Sequence, residues 1–156
     1  MPQAELDNAL AGCTRVLLDS STLIAYHSPA EDVHHLARHL LERIEDEQDP
    51  LCAYYSAITA MELLVRPIRA GSHALTFMHT FLSAYPHLTL LPVDLQVATQ
   101  AATVRAISNL KTPDCLIIAS GLLANCDALV FNDEAWGSRL RHDFKQFRWI
   151  CLREYR

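Results

Sequence analysis

The chain has 156 residues, 51% of them apolar, which suits one domain with a substantial core. Its 13 Lys and Arg against 18 Asp and Glu leave a formal charge of −5, so no overall positive field draws it to nucleic acid, and a simple nucleic-acid-binding module is disfavoured. Five cysteines without a C-x-x-C pair indicate neither a disulfide framework nor a zinc knuckle, and no apolar run reaches the length of a membrane span.

In chain order, residues 1–12 lack a basic segment followed by an apolar one and are read as a leader rather than a signal peptide, which favours a cytoplasmic setting. The main domain is expected over residues 13–152, with 153–156 as a tail. Val16-Leu17-Leu18 is the first continuous apolar run and predicts a buried strand. Asp32–Glu47 carries Val33, Leu36, Ala37, Leu40, Leu41 and Ile44 at intervals of three and four, with His34, His35, Arg38, His39, Glu42 and Arg43 opposite, and predicts an amphipathic helix.

Leu51–Tyr55 predicts the second strand, and Ser56 stands as a start signal before a helix over Ala57–Val65. Helices follow at Ser72–Ala84 and Leu95–Ser108, separated by a strand at Leu88–Val93. Pro113 introduces a very apolar helix over Asp114–Asn125. Leu129–Phe131 is the next strand, a short helix follows Asn132, and Trp149–Leu152 closes the series. Strands alternating with helices imply an α/β domain with a mostly parallel sheet.

Residues 137–156 carry six Lys or Arg against two acids, a local +4 that leaves −9 on the remainder. This basic end, Arg139, Arg141, Lys145, Arg148, Arg153 and Arg156, reads either as a phosphate-binding surface or as a solvated one. His35 and His39, four apart, are read as part of a solvated helix face, since no H-E-x-x-H pattern accompanies them. Lys111, Arg66 and Arg69 flank segments rich in other candidates and have a choice between phosphate and solvent.

Four acids stand where a parallel sheet places ligands, at or beyond the carboxyl ends of strands. Asp19 directly follows the first strand, and Asp133 follows Leu129–Phe131 after one Asn. Glu62 lies within the helix after the second strand, and Asp114 opens the apolar helix. A carboxylate in an apolar helix is costly unless something pairs with it, and one hard divalent cation, Mg²⁺ or Mn²⁺, would serve all four. Such a cation suits phosphodiester hydrolysis. Taken singly, Asp19 and Asp114 read first as helix N-caps, Asp133 as a turn residue and Glu62 as part of a capping box.

Three segments carry a resemblance. VLLDSSTLIAY (Val16–Tyr26), SAITAMELLVRP (Ser56–Pro67) and TPDCLIIASGLLANCDALVFNDEAW (Thr112–Trp136) resemble the signatures of the PIN-domain family, especially the toxin subunits of VapBC toxin–antitoxin modules. The resemblance covers about residues 14–152. It implies a three-layer α/β/α fold with a five-stranded parallel sheet, Mg²⁺- or Mn²⁺-dependent endoribonuclease activity on RNA, inhibition by an antitoxin, and a homodimer. Carried over by motif, Asp19, Glu62, Asp114 and Asp133 are the acidic metal-site residues, and Ser21 and Asn132 orient a carboxylate or a water. Thr22, where a small apolar residue is common, and Trp136, where Phe is common, depart from the pattern. A PIN nuclease outside a toxin pair and a catalytically silent PIN-like subunit stay as alternatives; a phosphoacceptor receiver lacks its paired acids and Lys-Pro here.

Overall fold

In the computed structural model, the backbone is described over residues 1–156 and the side chains of all but 134, 135 and 137–139. Five strands, β1 (Arg15–Leu18), β2 (Cys52–Ser56), β3 (Leu88–Leu91), β4 (Ala128–Phe131) and β5 (Arg148–Cys151), form one sheet in the order β3-β2-β1-β4-β5, with every pairing parallel. The helices are α1 (Pro2–Ala9), α2 (Ser20–His27), α3 (His34–Glu45), α4 (Ala57–Ala70), α5 (Ser72–Ala84), α6 (Leu95–Ser108), α7 (Thr112–Leu123) and α8 (Glu134–Asp143), and a short 3₁₀ turn spans Leu152–Tyr155.

The strands are continuous apolar runs because helices cover both sheet faces. Alternate side chains of one strand enter different cores. Val16 and Leu18 join Ala53, Tyr55, Val130 and Ile150 beneath α1, α3 and α5, where Leu6, Leu36, Leu40 and Phe81 are buried. Leu17 joins Leu129, Phe131 and Trp149 beneath α6 and α7, with Val104, Ile117 and Ile118. This is the three-layer α/β/α arrangement expected from the sequence.

The order of strands places the switch point at β1. The chain builds outward from β1 to β2 and β3, then returns to the other side of β1 to lay down β4 and β5. Connections after β1 and β4 therefore leave the sheet in different directions, opening a crevice at the carboxyl ends of these two neighbours.

Several boundaries differ from the sequence reading. The first twelve residues include α1, and Leu6 and Leu10, one turn apart, are 0% and 1% exposed in the core. Helix α4 runs on through Pro67 to Ala70, where the sequence reading ended it at Val65; one proline removes a single helical bond, and the exposed last turns tolerate that loss. Helix α7 begins two residues earlier than expected, with Thr112 and Pro113 in its first turn.

His39 is not simply solvated. Its Nε2 lies 2.8 Å from Asp7 Oδ1, which also accepts from Arg43, so the polar face of α3 holds α1 in place. The cysteines are all free, four of them buried. Among the described residues no helix is long and apolar enough to cross a membrane.

Candidate active site

Asp19 sits where β1 stops and α2 begins. It is the N-cap of α2, and its Oδ2 accepts the backbone N–H of Ser21 at 3.2 Å and the Ser21 hydroxyl at 2.6 Å. The N-cap reading thus holds for Asp19, and it leaves the residue at the carboxyl end of β1 where the candidate site lies. Asp19 is only 7% exposed, and burial raises its pKa against the lowering effect of the Ser21 bonds, with the Glu62 charge adding to the rise.

Ser21 has a fixed polarity. Its hydroxyl gives its single proton to Asp19 and accepts the backbone N–H of Asn132 at 2.9 Å. The end of β4 is thereby tied to the end of β1. Thr22 reinforces the tie: its buried hydroxyl donates to the Val130 carbonyl at 3.0 Å, beside the Asp19 N–H bonded to the same oxygen. The threonine that departs from the family pattern thus has a specific partner.

Asp114 lies in the first turn of α7 with Lys111 at the N-cap, so it is not itself the cap. It is half-buried, and its pKa is raised first by burial, then by the charges of Asp19 and Glu62, with Asp133 adding to the rise and Lys111 opposing it. Glu62, half-buried on α4, is no part of a capping box, because Ser56 caps through the N–H of Ile58 and Glu62 stands a turn further on. Asp133 is exposed, between β4 and α8, and its carbonyl accepts the Trp136 N–H at 3.2 Å. Trp136 itself packs on Phe131 with ring centres 5.9 Å apart, so the larger aromatic is accommodated.

The other three acids are therefore brought near enough for their charges to act on Asp114. Among the described residues, no three His, Cys, Asp or Glu are grouped closely enough to hold a metal ion as they stand. The donor set is nonetheless one of hard oxygens. Next to it the Asn132 side-chain oxygen, in a residue 7% exposed, is buried without a hydrogen-bond partner. Carboxylates whose charges add to the raised pKa of Asp19 and of Asp114, beside an unsatisfied oxygen, fit a hard divalent cation, and Mg²⁺ takes only one or two carboxylates and keeps several waters.

A cavity of about 470 Å³ opens beside these groups, lined by Ser21, Ile24, Glu31, Asn132, Asp133 and Arg153. Glu31 was not singled out from the sequence, and Arg153 was named there only as one member of the basic end. A usable signal existed for Arg153. In the sheet register Phe131 pairs with Cys151, so Arg153 lies as far beyond β5 as Asp133 lies beyond β4.

Much of the basic end is engaged by the protein. Arg141 bonds Glu154 at 2.6 Å and the Trp149 carbonyl, Arg148 bonds the Ala11 carbonyl at 2.6 Å, and Arg156 bonds Asp32 at 2.6 Å. The Arg139 side chain lies outside the described residues.

The PIN domain family matches residues 16–139, a span that includes all four acids. The chain belongs to the PIN-domain family. Its fold is similar to that of a toxin–antitoxin complex from Klebsiella pneumoniae, at 22% identity and a TM-score of 0.62, over 79% of this chain and 91% of that one. It is also similar to Mycobacterium tuberculosis VapC20, described as a sarcin-ricin loop cleaving toxin, at 16% identity and a TM-score of 0.63, over 83% and 95% of the two chains. A third likeness is to VapBC2 from Rickettsia felis bound to a promoter DNA fragment, at 14% identity and a TM-score of 0.61, over 86% and 96%. At these identities the likeness is one of fold. No curated protein sequence matches the chain.

Proposed function

We propose that this PIN domain is a metal-dependent endoribonuclease that acts as the toxin of a toxin–antitoxin pair. The observation that carries the reading is the convergence of Asp19, Glu62, Asp133 and Asp114, from four separate segments, on one electrostatic centre at the switch point of the sheet. Family membership and the VapBC-like fold support the same reading. In it Asp19, Glu62, Asp114 and Asp133 hold Mg²⁺ or Mn²⁺, the substrate is RNA, an antitoxin inhibits the enzyme, and the toxin works as a homodimer in the cytoplasm.

When bound, the cation supplies an activated water and offsets charge that builds on the scissile phosphate. The protein's part is positional. Ser21 turns the Asp19 carboxylate by donating to Oδ2, and the Asn132 N–H fixes Ser21 in that orientation. The Asn132 side-chain oxygen, buried and without a partner, keeps an acceptor at the same end of β4. Glu62 and Asp114 come from two helices and Asp133 from the end of β4, so the centre presents acids that need a cation before an anionic phosphate can approach.

The test is sequencing of RNA ends generated by the wild-type protein with Mg²⁺ or Mn²⁺ and by Asp114→Asn. The expected outcome is discrete cleavage ends from the wild type, reduced by at least about 100-fold in the variant. Absence of cleavage by the wild type with either metal overturns the nuclease reading. Growth arrest on expression, relieved by Asp19→Asn and by a co-expressed neighbouring small DNA-binding protein, separates a toxin from a PIN nuclease of RNA processing, which would cleave without such an inhibitor.

A further inference from the structure

We infer that Arg153 is a substrate-binding residue, holding an RNA phosphate adjacent to the one that is cut. This rests on the nuclease reading and adds to it the point where the backbone of the substrate leaves the acidic centre. Arg153 lines the cavity that Ser21, Asn132 and Asp133 also line, and it is the basic member of that lining among the described residues. The register that pairs Phe131 with Cys151 explains why a residue just past β5 reaches the same sheet edge as Asp133.

The guanidinium is positioned but incompletely used. Arg153 Nε is buried without a hydrogen-bond partner, so it is the rest of the side chain, 37% exposed as a whole, that faces a ligand. Its ion-pair partner, Asp32, lies 4.0 Å away and is already held by Arg156 at 2.6 Å. Asp32 is itself 43% exposed, so the longer contact binds Arg153 weakly. Arg141 and Arg148, by contrast, are fastened to the chain by shorter bonds. An arginine facing a cavity, with donor capacity left and an anionic polymer passing beside it, is suited to a phosphate oxygen.

Glu31 lines the same cavity and limits what binds there. A second carboxylate wall disfavours an anion held by charge alone, so the phosphate must be met by the directed donors of Arg153. Glu31 is then available to accept from a ribose hydroxyl or a base amino group.

The experiment measures a labelled single-stranded RNA of mixed sequence in two ways. Binding is followed by fluorescence anisotropy in an Asp19→Asn background across about 50 to 200 mM salt. Steady-state cleavage is followed in the otherwise wild-type protein. Arg153→Ala and Arg153→Gln are expected to weaken binding about tenfold and to lower the salt slope by about one phosphate contact. They should raise KM by a similar factor and leave kcat within about twofold, the signature of lost uniform binding. Arg38→Ala, an exposed arginine paired with Glu42 on α3, serves as the control and should change none of these.

Arg153→Gln keeps a side chain of similar reach, so it reports on charge if the alanine variant folds poorly. Unchanged affinity and salt slope in a folded Arg153→Gln, with wild-type cleavage intact, overturn the role of Arg153 and leave the nuclease reading standing. Absence of wild-type cleavage overturns both. A fall in kcat at constant KM and affinity also overturns it, since that pattern belongs to a residue acting on the reacting centre.

Discussion

One hydroxyl carries much of the order at the candidate site. Ser21 both donates to Asp19 and accepts from the Asn132 N–H, so its removal strands a buried donor and deprives a buried carboxylate of a partner. Ser21→Ala should cost about 1–3 kcal/mol of stability, measured by urea denaturation. It should also move the acidic limb of the pH–rate profile upward. The Ser21 bonds lower the Asp19 pKa against the burial that raises it, so their loss raises it further, and the carboxylate ionises only at higher pH. A stability loss with no movement of that limb would confine Ser21 to a structural role. At this scale the sequence was informative about residue type and mute about partners. Asp19, Asn132 and Ser21 could all be marked from their places in the motifs. The 111-residue separation between Ser21 and Asn132 left their bond, and the Thr22 bond to Val130, invisible until the sheet brought β1 and β4 together.

At the scale of elements, the site depends on how closely α7, which carries Asp114, approaches β1, which delivers Asp19. Gly121 sets that approach. A Cβ there would lie 2.7 Å from Leu17 Cδ2 and 2.8 Å from Phe147 Cζ, and both of those side chains are buried. Gly121→Ala gains about 1 kcal/mol of helix propensity but overpacks two buried contacts at a typical cost of about 1–3 kcal/mol. The net expectation is a lowered thermal midpoint together with reduced RNA cleavage, because relief requires either that the buried Leu17 and Phe147 side chains repack or that α7 shifts away from β1; a midpoint at or above wild type would mean the core repacks freely. Elements with a strong pattern were legible: α5 and α6 have the bounds their sequence predicts, and each strand was located within a residue or two. Helix α1 was not: its one buried apolar residue, Leu6, with Leu10 just past its end, offers little periodicity, and burial against distant parts of the chain holds it rather than local sequence. The eight-residue α2 is too short to declare a helical face, and it was legible only through Asp19 as its N-cap.

For the molecule as a whole, the question is how a chain of charge −5 handles an anionic polymer, since its basic end is largely bonded to its own backbone and acids. On the proposed reading a cation neutralises the acidic centre first, and this links metal, protons and stability. Asp19 and Asp114 both have raised pKa values, so each binds its proton more tightly in the folded chain than in the unfolded one. Without metal, these two groups therefore favour folding most at pH below the ordinary carboxylate range. That contribution declines as pH rises from the ordinary value through the raised folded value. A cation reverses the trend above that window, because it binds the ionised carboxylates of the folded chain and competes with protons below it. Mg²⁺ at about 100 times its dissociation constant adds roughly 2.7 kcal/mol, and for a chain of this size that is about 5–10 °C in Tm. The expected result of scanning calorimetry is a Mg²⁺-dependent rise in Tm near neutral pH that shrinks steadily on acidification and is largely abolished in Asp114→Asn. Metal-free Asp114→Asn should itself melt at or above the wild type near neutral pH, since it removes one of the charges that repel one another. A wild type insensitive to Mg²⁺ and Mn²⁺ at every pH, or a metal-free Asp114→Asn that is markedly less stable, would mean the four acids are held for structure and not for a cation.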